Sequence, residues 1–192
     1  MNVDVALPLE GTFAIQNKLM SEFAGGISSL HNSCTHTFPY PFDTMSLPEV
    51  RVSVRENIVI VSLKIAPEIS SAKWLNQTVR ELIRLLWLPK DWNSDNPQPI
   101  NPRAIEKMLA LLLALLEPDS PPPVVVPTAR GGIQVEWHQN RIDLEIEAFN
   151  SSKLEYYFSD SKGEQEGIIE DDPAILKQFT GCLKTTSCSR RG

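Results

Sequence analysis

Three runs of strict apolar/polar alternation constrain this chain more than any other feature. Ile133, Val135 and Trp137 alternate with Gln134, Glu136 and His138. Ile142, Leu144 and Ile146 alternate with Asp143, Glu145 and Glu147, and Leu154, Tyr156 and Phe158 with Glu155, Tyr157 and Ser159. Successive side chains of a strand point to opposite faces, so each run predicts a strand with one apolar face and one polar face. Gln139-Asn140 and Asn150-Ser151-Ser152 are turn formers between the runs, and Gly131-Gly132 permits a tight turn ahead of them. The economical arrangement is an antiparallel meander whose apolar face needs a cover.

That cover is predicted just upstream. Asn101 is a good helix cap and Pro102 suits the first helical position, where a missing N–H costs nothing. From there to Glu117 the sequence is apolar on nearly every side after Lys107, which predicts a helix buried on more than one face. An earlier amphipathic helix is expected from the spacing of Trp74, Leu75, Thr78, Val79, Leu82, Ile83 and Leu86, with Ser70 or Ser71 as its cap and Pro89 closing it. This reading takes Trp74, Trp87 and Trp137 as core residues.

Before the helices, Val50, Val52 and Val54 alternate with Arg51, Ser53 and Arg55, and Ile58 to Ile65 is rich in β-branched residues. The two runs predict a β-hairpin turning at Arg55-Glu56-Asn57. Pro118 to Pro127, carrying Val124-Val125-Val126, reads as an extended connector. The expected fold class is therefore α+β: two central helices packed on an antiparallel meander, with an N-terminal β-hairpin. Residues 46–167 are expected to form this single domain. Residues 1–45 are an ill-defined N-terminal segment with a short helix from Ile15 to Phe23. Residues 168–192 hold a short helix, from Pro173 to Phe179, and a polar tail.

Composition narrows the function classes. The chain has 192 residues and a net charge of −6, with a pI near 5.1. An acidic balance argues against non-specific binding of nucleic acid or anionic membranes, which requires cationic surface, and makes a basic protein the easier partner. The apolar run Met108 to Leu116 is far short of the roughly 20 residues that a bilayer span needs. With no basic leader at the N-terminus and three sparse cysteines, Cys34, Cys182 and Cys188, a cytoplasmic setting with reduced thiols is expected.

Four separated pieces resemble a common pattern. They are Leu88-Pro89-Lys90-Asp91-Trp92-Asn93-Ser94, Pro99 through Ala104, Val126-Pro127-Thr128, and Gly131-Gly132-Ile133-Gln134-Val135-Glu136-Trp137. Together they resemble a family of uncharacterised bacterial proteins, defined by a Leu-Pro-x-x-Trp loop, a helix, and a Pro-Thr and Gly-Gly-φ-Gln-φ-Glu-Trp segment opening a meander. The likeness covers residues 88–167. It implies a bacterial cytoplasmic setting and carries over no catalytic or binding residue.

The first functional candidate is an acidic stripe. Glu136, Asp143, Glu145, Glu147 and Glu155 fall on one face of the meander, where carboxylates set against one another are mildly destabilising. They suggest a docking face for a basic protein, as in an antitoxin or immunity protein; the plain alternative is a solvated sheet face whose charges discourage aggregation. Trp92, in a loop beside Asn93 and Ser94, either staples that loop or lines a groove joining the docking surface.

An enzyme with a site around Glu136 and His138 is the rival reading, although no nucleophile or phosphate loop accompanies the pair. His31, Cys34 and His36 lie close in sequence without the regular spacing of a zinc knuckle, so no metal and no cofactor is expected. A third reading is a structural subunit of a larger assembly.

Overall fold

The structure, a computed structural model, describes residues 2–8, 49–55, 58–94, 97–139, 141–149, 153–171 and 174–184. The expected helix from Ile15 to Phe23, the His31–His36 segment and the C-terminal tail lie outside these residues.

The hairpin forms as its alternation requires. Strands β2 (Glu49–Arg55) and β3 (Ile58–Lys64) pair antiparallel, with Arg55 opposite Ile58. A third strand, β1 (Asn2–Pro8), pairs along the other side of β3 and completes a three-stranded sheet of order β1-β3-β2. Val59, Val61 and Leu63 are buried beneath it. A single helical turn, α1 (Pro67–Ser70), leads to helix α2 (Lys73–Leu85).

The cap of α2 is not the serine expected. Ala72 occupies the cap position without a side-chain bond, while Ser70 and Ser71 donate back to the carbonyls of Pro67 and Glu68. Trp74 is fully buried and its Nε1 donates to the Glu117 carbonyl at 2.8 Å. That bond ties the start of α2 to the turn that follows helix α3 (Pro102–Leu115), where the same carbonyl also accepts from the Ser120 N–H. Trp87 departs from expectation. The helix stops at Leu85, so Trp87 falls beyond the last turn and is 37% exposed.

Helix α3 begins as predicted, with Asn101 Oδ1 accepting from the Arg103 N–H at 3.0 Å and Pro102 in the first turn. Ala104, Ile105, Met108, Leu109 and Leu112 have no exposed surface. The reason for apolar residues on nearly every side is visible in what α3 touches: β2, α2, helix α4 (Ile175–Lys184), and strands β5 (Ile133–Gln139) and β6 (Ile142–Ala148).

The meander has five strands rather than three. In order they are β4 (Val124–Pro127), β5, β6, β7 (Leu154–Asp160) and β8 (Gly163–Ile168), antiparallel throughout. The inner face is apolar as predicted: Ile133, Val135, Trp137, Leu144, Ile146, Leu154 and Phe158 are all buried. Phe179 of α4 closes the far end, its ring 5.3 Å from Tyr156 edge-on and 5.6 Å from Phe158. One hydrophobic cluster includes buried residues of both sheets.

Candidate functional site

With the inner face committed to the core, the five-stranded sheet presents its other face outward. The register lays three rows of side chains across it. One row reads Val126, Gln134, Glu147, Glu155, Ile168; the next Val124, Glu136, Glu145, Tyr157, Glu166; the third His138, Asp143, Ser159, Glu164. All five predicted acidic residues therefore share this face. Glu164 and Glu166 on β8 extend it. At about 4.8 Å per strand, the row from Glu136 to Glu166 spans roughly 14 Å.

Carboxylates stand directly opposite one another twice, Glu136 against Glu145 and Glu147 against Glu155. Neighbouring donors hold the first pair. Gln134 Nε2 donates to Glu136 Oε1 and to Glu145 Oε2, each at 2.9 Å. His138 then clasps the other side: its Nε2 lies 3.0 Å from Glu136 Oε2 and its Nδ1 2.9 Å from Asp143 Oδ1. A ring with a carboxylate at each nitrogen is best satisfied when both nitrogens carry protons. Hydrogen bonds to Asp143, then to Glu136, accordingly raise the His138 pKa above its ordinary value.

Glu147 is tied differently. Its Oε2 accepts from Arg130 Nη2 at 3.1 Å, and the Arg130 guanidinium also lies 3.8 Å over the Phe149 ring. Burial is the main cause of a raised Glu147 pKa, outweighing the lowering by the Thr128 hydroxyl and by Arg130. Glu155, by contrast, is exposed on β7.

Sequence reasoning placed Gln134 on this face but not as a donor to two carboxylates, and it missed Arg130, Glu164 and Glu166. The signal for placing Gln134 was present, since it shares parity with Glu136 on the same strand. Glu164 and Glu166 had no such signal, because β8 lacks apolar alternation.

Trp92 sits elsewhere, in the loop between α2 and α3, half-buried, with its backbone N–H donating to the Pro89 carbonyl at 3.1 Å and its indole Nε1 buried without a partner among the described residues. It lines a cleft of about 30 Å³ with Leu88, Pro89, Pro97 and Ile100. A small-molecule site needs at least about 300 Å³, so this cleft has room for little more than a water. The loop is pinned to the next one: Gln98 N–H donates to Ala129 O and Asn101 N–H to Gly131 O. Gly131 has φ +78°, and a Cβ there would lie 2.6 Å from Pro99 O. One on Gly132 would lie 2.6 Å from Ala148 O. The scattered motif residues thus meet at a single backbone junction.

The described residues contain no group of three or more His, Cys, Asp or Glu side chains arranged to hold a metal. Cys182 lies half-buried on α4, its thiol pushed up chiefly by burial. None of the described helices is long and apolar enough to cross a membrane. Against protein-family models, curated proteins and solved structures, the chain gives no match.

Proposed function

We propose that the chain is a non-enzymatic interaction module that docks a basic protein on the outer face of its five-stranded sheet, in the manner of an antitoxin or immunity partner. The observation that carries this reading is the row of carboxylates held opposite one another on a sheet whose other face is core. Glu136, Asp143, Glu145 and Glu147 are held by neighbouring donors, so an incoming cationic surface meets charges fixed at that part of the face. Charges held this way raise association rates and exclude acidic competitors more than they add raw affinity.

The enzyme reading meets a geometric objection. Both ring nitrogens of His138 face carboxylates, so neither is left free to take a proton from a substrate. The cytoplasmic setting expected from composition suits a partner encountered inside the cell.

The test is a tagged chain expressed in its native host, with any stoichiometric companion identified by mass spectrometry. A companion of strongly basic composition, released by moderate salt and lost from an Asp143→Lys/Glu145→Lys variant that still unfolds cooperatively, supports the reading. An acidic companion, or a complex indifferent to the charge reversal, sinks it.

A further inference from the structure

The two sheets end on strands whose outward backbone groups are treated differently. In β2, the outward Val52 N–H is taken by Glu106 Oε1 of α3 at 2.8 Å. In β4, Thr128 N–H bonds to Gly132 O, which turns Val125 and Pro127 away from β5; Pro127 has no N–H to offer there. Each of these two edges, β2 and β4, carries a device that hinders strand addition.

Strand β8 has no such closure. Ile169 N–H bonds to Leu154 O, so residues 163, 165 and 167 face β7 and residues 164, 166 and 168 face outward. Among the described residues, nothing bonds the outward N–H and C=O of Glu164 or Glu166, while Ile168 O accepts from Asp171 N–H. Residues 163–166 are exposed. The edge has no proline, and its outward-parity side chains on the docking face are Glu164 and Glu166.

We propose that β8 receives an extended basic segment of the partner as a sixth strand, with Lys or Arg at alternate positions set beside Glu164 and Glu166. This rests on the docking reading above and specifies how the partner engages. Backbone pairing supplies affinity without regard to sequence, and the alternate side chains supply selection. A second copy of this chain is a poor occupant. Pairing β8 with β8 sets glutamates against glutamates on one face, where like charges repel. The two glutamates therefore reject self-association while admitting a cationic strand.

The probe is a blocked decapeptide of alternating Arg and Thr, titrated against the full chain by fluorescence anisotropy at low ionic strength. Two methylated versions keep every charge: one is N-methylated on the Arg amides, the other on the Thr amides. In strand addition only one set of amides faces β8, so one version should lose about tenfold or more and the other stay within about threefold. On the protein, Glu166→Pro removes the outward N–H and should cost about tenfold, while Glu166→Gln keeps the N–H and should cost much less. Equal binding of the two methylated peptides, or indifference to Glu166→Pro, overturns strand addition. If the peptide still weakens with salt and with Glu145→Lys in that case, face docking stands without it. Absence of any binding removes the edge proposal, and the native-host experiment then judges the face separately.

Discussion

Carboxylates that face each other across a strand pair repel unless a donor stands between them, as Gln134 does between Glu136 and Glu145. Beside these pairs, His138 bonds Glu136 and Asp143, and Arg130 bonds Glu147 alone. Removing one donor should therefore show as a shifted titration before it shows as lost stability. By NMR, the His138 ring is expected to titrate above the ordinary 6.5, and Asp143→Asn should lower that value more than Glu136→Gln. A ring titrating at or below the ordinary value contradicts the clasp. Because the folded chain holds this proton more tightly than the unfolded chain, the clasp stabilises below the unfolded value and is lost as pH rises through the folded one. The melting temperature should fall slightly over that window, and His138→Gln should abolish the fall. Docking of a cation should change the opposite way, tightening as the imidazolium charge disappears. Glycine at 131 is a separate matter: φ +78° and the nearby Pro99 carbonyl predict that Gly131→Ala costs at least about 1–3 kcal/mol in chemical denaturation. The Gly-Gly pair was legible as a tight turn, but its contact with Pro99, far off in sequence, was not. Trp87 was misread for the converse reason. Its spacing continues the helical stripe, while the backbone leaves the helix two residues earlier.

At the scale of elements, legibility followed burial of one face and not the other. Strands β5, β6 and β7 announce themselves because α3 and α4 cover one side, which forces alternation. Strand β8 reads Gly-Glu-Gln-Glu-Gly-Ile and has no alternation, since Gln165 is exposed even on the inner face. Strand β4 lies between prolines that suggest a connector; their placement facing away from β5 is what makes an edge strand possible. Residues 2–8 do alternate, yet the partner β3 is some fifty residues away and no local turn points to it. The interior of α3 carries one element-level charge, Lys107, almost fully buried with Nζ 2.9 Å from Glu170 Oε1. Burial keeps the Lys107 pKa below its usual value, although the hydrogen bond and the charge of Glu170 both raise it. Both Glu170 oxygens also accept from the Leu154 N–H, at 2.9 and 3.1 Å, which joins α3 to the start of β7. Glu170→Ala strands a buried ammonium and should cost about 3–5 kcal/mol, whereas Lys107→Met with Glu170→Gln should be near neutral. Urea unfolding of the three proteins decides this, and a mild Glu170→Ala would show that Lys107 finds water.

At the scale of the molecule, the two sheets are separate in hydrogen bonding and continuous in packing. Their link is α3, which touches β2 of one sheet and β5 and β6 of the other, while Glu106 bonds to the edge of β2 from the same helix. A helix buried against both sheets cannot keep its packing if either one leaves. The chain's described body should accordingly unfold in one step, with tryptophan fluorescence and far-ultraviolet dichroism changing together. Amide exchange gives the sharper check. Val61 in β3 and Ile146 in β6 are both fully buried, and under one cooperative transition their amides should report the same opening free energy. Leu112→Ala empties space at the centre of α3 and should lower both by the same amount, about 2–5 kcal/mol. If Val61 exchanges through a smaller opening that the variant leaves unchanged, the three-stranded sheet is an independent unit. The acidic face would then be carried by the five-stranded sheet and its helices alone.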